Sequence, residues 1–184
     1  MTEKMLDVLY DSGNNELSNE RAKCKDLCYE YNRLHPSDIE KQREIIRILF
    51  GSTKDSFTVT ASFWCDYGYN IGIGENFYVN HNCVILDAAK VTFGDNVFVA
   101  PNCGFYTAGH PIDPKQRNQW LEYAYSITVG NNVWIGGGVQ VLPGVTIGDR
   151  AVIGAGSVGT KDIPSGVIAV GNPCKVIRRI AERE

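Results

Sequence analysis

The stretch ITVGNNVWIGGGVQVLPGVTIGDRAVIG, residues 127–154, places Val129, Ile135, Val141, Ile147 and Ile153 six positions apart, with a companion track at Ile127, Val133, Val139, Val145 and Ala151. The same spacing runs upstream through Ile73, Val79, Ile85, Val91 and Val97, and the interval from Val97 to Ile127 is a multiple of six. Both stretches therefore keep one phase. A helix repeats its apolar face every ~3.6 residues and a strand every ~2, so a period of six fits neither alone. It predicts a parallel β-helix, in which each six-residue unit is a short strand plus a corner, three units close a triangular coil, and equivalent aliphatic side chains stack in a central column. Gly72, Gly74, Gly94, Gly130, Gly136, Gly148 and Gly154 are expected at or beside corners, where a Cβ is penalised. Asn76, Asp95, Asn131 and Asp149 follow as turn residues. A plain α/β protein with Gly-rich loops does not account for hits in phase over about a hundred residues.

Length and composition bound the rest. A chain of 184 residues suits one domain with a small appendage. A net charge of −3 offers no electrostatic reason to expect nucleic acid. No apolar run reaches membrane-spanning length, and the start lacks the apolar core of a signal peptide, so a cytoplasmic chain without membrane partners is expected. The six cysteines include no Cys-x-x-Cys pair. Cys83 and Cys103 continue six-spaced apolar tracks, and all six read as small reduced core residues.

Residues 1–56 follow a different grammar and are expected to form a helical cap on the coil. Met5, Leu6 and Leu9 suggest a short amphipathic turn, ended by the run from Asp11. Cys24, Leu27, Cys28, Tyr31 and Leu34 then mark a helix up to His35-Pro36. Ser37 with Glu40 reads as a capping box for a second helix, with Ile39, Ile46, Leu49 and Phe50 along one face and Gly51 as its stop. Coil is expected over 57–174, and after Gly171-Asn172-Pro173 a closing helix over 175–184.

One break interrupts the repeat. From Tyr106 to Ser126 the pattern vanishes and then resumes in phase, so residues 106–126 are extruded from the coil, and long loops on rigid scaffolds carry function. This loop holds Thr107-Ala108-Gly109-His110-Pro111, Trp120 and Glu122. The chain's other histidines, His35 before a Pro and His81, compete little for a chemical role.

Three strings carry a resemblance. They are Cys65-Asp66-Tyr67-Gly68-Tyr69-Asn70-Ile71, then Glu75-Asn76-Phe77-Tyr78-Val79-Asn80 with Asn82 through Asp87, and then Thr107 through Pro111. Together with Tyr31-Asn32 through His35-Pro36-Ser37 and Gly171-Asn172-Pro173-Cys174-Lys175-Val176-Ile177-Arg178, they resemble the hexapeptide-repeat sugar O-acetyltransferases, the maltose and galactoside enzymes above all. The resemblance implies a mainly β, left-handed parallel β-helix, assembled as a homotrimer with active sites between subunits. It implies acetyl transfer from acetyl-CoA to a hydroxyl of a sugar such as maltose or glucose. His110 matches the general base, and an imidazole suits the task of deprotonating a weakly nucleophilic hydroxyl as it attacks a thioester in a ternary complex. Glu122 is expected to orient the imidazole and stabilise its charge. Asp66, Asn80 and Asp87 match acceptor contacts, although the acid of galactoside enzymes aligns with Ala88. An N-terminal contact falls at Asp11 or Ser12. Gly137, Ala155, Thr160, Lys161, Lys175 and Arg178 match acetyl-CoA contacts, the cations serving phosphates, with Trp134 against the pantetheine arm.

Galactoside and xenobiotic acceptors are the alternatives within this chemistry. A zinc enzyme of the same architecture needs three histidines, two of them close in sequence, a set that His81 and His110 do not supply, so no metal is expected. The remaining class is a non-catalytic β-helix scaffold.

Overall fold

The structure is a computed structural model that describes residues 9–181. Met5 and Leu6, assigned above to a first amphipathic turn, lie outside the described residues. Between Ser52 and Val170 the chain winds as a parallel β-helix with three faces. One face has seven strands: Phe57–Val59, Phe77–Val79, Phe98–Val99, Trp134–Ile135, Val152–Ile153, Val167–Val170 and Lys175–Arg179. The second has five: Phe63–Cys65, Cys83–Leu86, Gly104–Tyr106, Gln140–Val141 and Val158–Gly159. The third has four: Ile71–Gly72, Val91–Phe93, Ile127–Val129 and Thr146–Ile147.

The apolar tracks fill the interior. Val91, Val97, Ile127, Val133, Ile135, Val139, Val141 and Ala151 are fully buried, and burying each Val or Ile side chain contributes about 1.5–3 kcal/mol relative to exposure. Nearer the N-terminal end the column turns aromatic, with Phe77, Phe93 and Phe105 packed in sequence at centroid distances of 4.9 and 5.0 Å.

The stacking departs from a uniform coil at both ends, the last coil shortening to 16 residues where Thr146 N–H reaches Asp162. Thr128 pairs with Thr146 and Gln140 with Val158, an 18-residue coil. Ile71 pairs with Val91 and Phe57 with Phe77, a 20-residue coil. Ile73 is therefore not the residue beneath Val91. Inward residues come as i, i+2 pairs, so two extra corner residues shift the track from one member of a pair to the other while the count of six survives.

Corner chemistry divides between two residue types. The left-handed positions belong to Asn76, Asn82, Asn96, Asn102 and Asn132 rather than to the glycines named above. Asn tolerates this region through local side-chain hydrogen bonding, and here Asn76 donates to Asn96 at 3.1 Å and Asn82 to Asn102 at 3.2 Å. Gly94 answers a different need, because a Cβ there would lie 2.6 Å from the Asn131 side chain of the next coil.

Two helices close the first coils, α1 (Asn15–Asn32) and α2 (Ile39–Leu49). Asn14 caps α1 by accepting from Leu17 N–H at 2.9 Å. The expected capping box on α2 is absent: Asp38 is the N-cap without a side-chain bond, and Ser37 turns instead to His35 Nδ1 at 2.7 Å. The buried stripe is Ile45, Ile46, Leu49 and Phe50, whereas Ile39 is exposed.

The chain after Pro173 corrects a second expectation. Lys175–Arg179 is a strand rather than the start of a helix, running antiparallel to Val167–Val170 after a reversal at Gly171, where φ is 101°. An open sheet edge offers unpaired backbone groups to a returning segment with β-branched Val176 and Ile177, and that pairing overrides local helical preference.

Candidate active site

All departures from the 18-residue coil fall at one corner, where the five-stranded face turns into the four-stranded one. Two coils carry the longer crossings after Cys65 and Leu86, and in the next coil Gly104 pairs with Gln140, 36 residues on, twice the regular coil. The extruded chain folds back as a hairpin of Ala108–Gly109 and Leu121–Ala124, with a helical turn, α3, at Pro114–Arg117. Tyr10–Asp11 adds a third antiparallel strand to this hairpin, pairing Tyr10 with Glu122. The stacked crossings, the hairpin and α1 surround a cavity of about 520 Å³ whose lining includes Arg21, Asp66, Tyr67, His110, Trp120 and Glu122.

His110 is set by its backbone neighbours. Its Nδ1 lies 3.2 Å from the carbonyl oxygen of Leu121, which can only accept, so Nδ1 carries the hydrogen and the neutral ring keeps its lone pair on Nε2. Nε2 stands 3.7 Å from Oε1 of Glu122, and half the imidazole is open to solvent. Leu121 thus does the orienting that was expected of Glu122, and Glu122 faces the basic nitrogen instead. The other carboxylate oxygen of Glu122 accepts from Tyr10 Oη at 2.8 Å. Burial first, and then the bond to Glu122, raises the Tyr10 pKa, so this phenol stays a donor.

The opposite wall is built on charge. Arg21 of α1 donates to Tyr67 Oη and to the Ser12 carbonyl, both at 2.6 Å. Asp66 lines the cavity, its pKa raised by burial first and next by the Asp87 carboxylate, against Arg21 and Lys25. Asp87 itself is sealed beneath the wall with no exposed surface, so the expected acceptor contact is not available to it. Its Oδ1 accepts from the N–H groups of Asp66 and Tyr67 at 3.0 and 2.9 Å, which fixes the crossing that presents Asp66. Ala88, not Asp87, reaches the lining.

Of the two N-terminal candidates Ser12 lies in the lining, whereas Asp11 bonds Gly13 N–H at 2.8 Å. Ser12 also holds Trp120: its N–H and Oγ donate to the Trp120 carbonyl at 3.2 and 2.8 Å. Trp120 has φ of 61° and an exposed ring, a conformation that costs about 1–3 kcal/mol and persists only where surrounding bonds enforce it. Tyr10 and Arg21 escaped assignment because their roles arise from contacts with residues far along the chain.

Asn80 is not in this cavity. It lines a shallow hollow on the seven-stranded face with Tyr78, Phe98 and Trp134, and its Oδ1 accepts from His81 N–H at 2.7 Å. The solvent-facing Trp134 and Phe98 make this a markedly apolar surface. Gly137 and Ala155 occupy stacked positions at the corner between the seven- and five-stranded faces, Gly156 N–H reaching back to the Gly137 carbonyl at 2.8 Å. Thr160 and Lys161 are exposed beyond the last five-stranded-face strand, and Lys175 and Arg178 are exposed on the final strand. These six do not line the His110 cavity. Among the described residues no helix is long and apolar enough to cross a membrane.

Residues 7–54 match the maltose acetyltransferase hexapeptide capping motif, and residues 126–158 match the bacterial transferase hexapeptide model of six repeats. A Saccharomyces cerevisiae protein provisionally named an acetyltransferase is 57% identical over 98% of this chain and 91% of its own. Among solved structures, a maltose O-acetyltransferase from Clostridium difficile 630 superposes with a TM-score of 0.94 at 50% identity, covering 99% of both chains. A galactoside acetyltransferase in complex with coenzyme A superposes with a TM-score of 0.91 at 46% identity, covering 94% of this chain and 86% of that one. With relatives this similar along nearly its whole length, the chain belongs to the hexapeptide-repeat acetyltransferases of the maltose and galactoside O-acetyltransferase type and is an acyltransferase.

Proposed function

We propose that the protein transfers an acetyl group from acetyl-CoA to a hydroxyl of a sugar, with maltose and glucose as the first acceptors and His110 as the general base. The observation that carries the reading is the pairing of His110 Nδ1 with the Leu121 carbonyl, which leaves Nε2 as the basic atom inside a walled cavity. Nε2 takes the proton of the attacking hydroxyl as that oxygen adds to the thioester carbonyl, and returns it to the thiolate of CoA as the tetrahedral intermediate collapses. Glu122, 3.7 Å from Nε2, stabilises the imidazolium formed between the two steps. Direct transfer in a ternary complex needs no acyl-enzyme.

A sugar suits the cavity chemically. Asp66 and Arg21 supply an acceptor and a donor for hydroxyl groups, while the Trp120 ring offers an apolar plate for the carbon face of a pyranose. Lys161, Lys175 and Arg178 supply cations for the nucleotide phosphates of acetyl-CoA, and Trp134 packs against its pantetheine arm. These groups and Asn80 lie apart from His110 in one chain. A homotrimer in which the seven-stranded face of one subunit meets the His110 cavity of the next reunites them, which favours active sites between subunits.

The second acceptor class is galactosides, favoured by the coenzyme A-bound relative and disfavoured by Ala88 where the family resemblance expects the acid of galactoside enzymes. Thiol release from acetyl-CoA across maltose, glucose, a thiogalactoside, a hydroxyl-bearing antibiotic and serine, with His110→Ala alongside, tests the reading. Sugar-dependent release that vanishes in the variant is the expected result. Release with no sugar overturns the acceptor class, and unchanged release in the variant overturns the base.

A further inference from the structure

Behind the cavity wall, three thiols converge. Cys24 and Cys28 project one turn apart from α1, and Cys65 ends the strand Phe63–Cys65. Cys65 Sγ lies 3.5 Å from Cys24 Sγ and 3.8 Å from Cys28 Sγ, and all three sulfurs lie within 4.8 Å of one another. Each residue is at most 4% exposed. No Cys-x-x-Cys pair announces the cluster, because its third thiol is 37 residues from Cys28.

We propose that Cys24, Cys28 and Cys65 form a three-thiolate site for a soft, thiophilic metal ion of the copper(I) class. A thiolate–metal bond of about 2.3 Å places the corners of a three-coordinate sulfur triangle about 4 Å apart, and the separations of 3.5 and 3.8 Å from Cys65 fall just inside that edge. Thiolate ligands select soft ions. Structural zinc takes four ligands, and among the described residues no fourth Cys, His or carboxylate joins the cluster, which favours a three-coordinate ion. Binding keeps the metal's oxidation state: each thiol that becomes a ligand gives its proton to solvent.

The placement ties the site to the cavity without relying on its chemistry. Cys24 falls between Arg21 and Lys25 on α1, and Cys65 precedes Asp66 and Tyr67, so an ion shared by the three thiols fastens one wall of the cavity to the other.

The test is anaerobic titration of the fully reduced, full-length protein with copper(I) supplied as a weak complex, read by thiolate-to-metal ultraviolet absorption. The expected result is one tight equivalent that is lost in Cys65→Ala and in Cys28→Ala but kept in Cys103→Ala, whose thiol is buried elsewhere. Loss of groups that merely support a metal ligand lowers affinity ~10–100-fold, so loss of a ligand is expected to exceed that. X-ray absorption on the loaded wild type is expected to show sulfur neighbours alone, at about 2.3 Å. No tight equivalent in the wild type, its retention in either folded cluster variant, or nitrogen or oxygen neighbours around the metal overturns the proposal.

Discussion

The hydroxyl of Tyr10 donates to Oε2 of Glu122 at 2.8 Å, across the antiparallel pairing that ties the first described strand to the extruded hairpin. That bond aims the second carboxylate oxygen at His110 Nε2. Tyr10→Phe removes one hydrogen bond to a charged acceptor, a contact of about 1.5–3 kcal/mol, of which part is expressed at the transition state. The expected outcome is a fall in kcat of about tenfold, roughly 1.4 kcal/mol, with acetyl-CoA KM unchanged. In the Glu122→Gln background the same change is expected to cost little, and steady-state kinetics on the double-mutant cycle measures this coupling.

Loss of the base is expected to be more severe. His110→Ala removes the proposed proton acceptor without opening the core, since the ring is half exposed, and general-base contributions run to about 10²–10⁴-fold. Turnover should fall within that range while the thermal unfolding midpoint and CoA binding stay near wild type. Calorimetry beside the thiol-release assay reads both.

Asp87 offers a pH-dependent test of the wall. Burial raises its pKa above the ordinary carboxylate value, so the unfolded chain ionises first as pH rises. The stabilisation from this group is fully present below the unfolded value, about 3.9, and is lost as pH climbs through the raised folded value. Asn at this position keeps an oxygen for the two backbone N–H groups and has no charge to desolvate. Asp87→Asn is therefore expected to gain stability relative to wild type progressively above about pH 4. Asp87→Ala, which leaves both N–H groups unpaired, should lose about 1–3 kcal/mol below about pH 4, a deficit that narrows as pH rises because this variant too has no charge to desolvate. Urea unfolding at a series of pH values separates the two.

Acceptor and donor sites should separate kinetically. Trp120→Ala removes the proposed plate for the sugar, and Lys161→Ala removes a proposed phosphate contact. The first is expected to raise acceptor KM about tenfold and the second acetyl-CoA KM by a similar factor, each with a smaller change in kcat, the signature of binding shared by ground and transition states. A Lys161→Ala effect confined to the acceptor KM sinks its assignment.

The winding of the chain was legible because an inward column imposes its period on every coil, and Val91 to Cys103 and Ile127 to Ile153 keep it on either side of the loop. The extruded hairpin was legible as the place where that period fails. The two-residue lengthening after Cys65 and Leu86 was not, since slipping from Ile85 to Val91 changes which member of an inward pair is counted and leaves the spacing at six. Lys175–Arg179 misled because its conformation is dictated by a sheet edge, not by its own residues. At the site, His110 stood out within a string and Glu122 within the extruded loop, whereas Tyr10 and Arg21 gain their partners across more than forty residues, Tyr10 through a strand only two residues long.

The crossings after Cys65, Leu86 and Tyr106 share one vertex of the triangle, and the strands that follow them take their seats regardless of how much chain is looped out between. The vertex is an open port in an otherwise closed lattice. Side chains can be added, lengthened or exchanged there without re-pairing a backbone bond in any face, so a new acceptor preference can be installed on this protein by editing the port while the lattice that keeps it folded stays untouched.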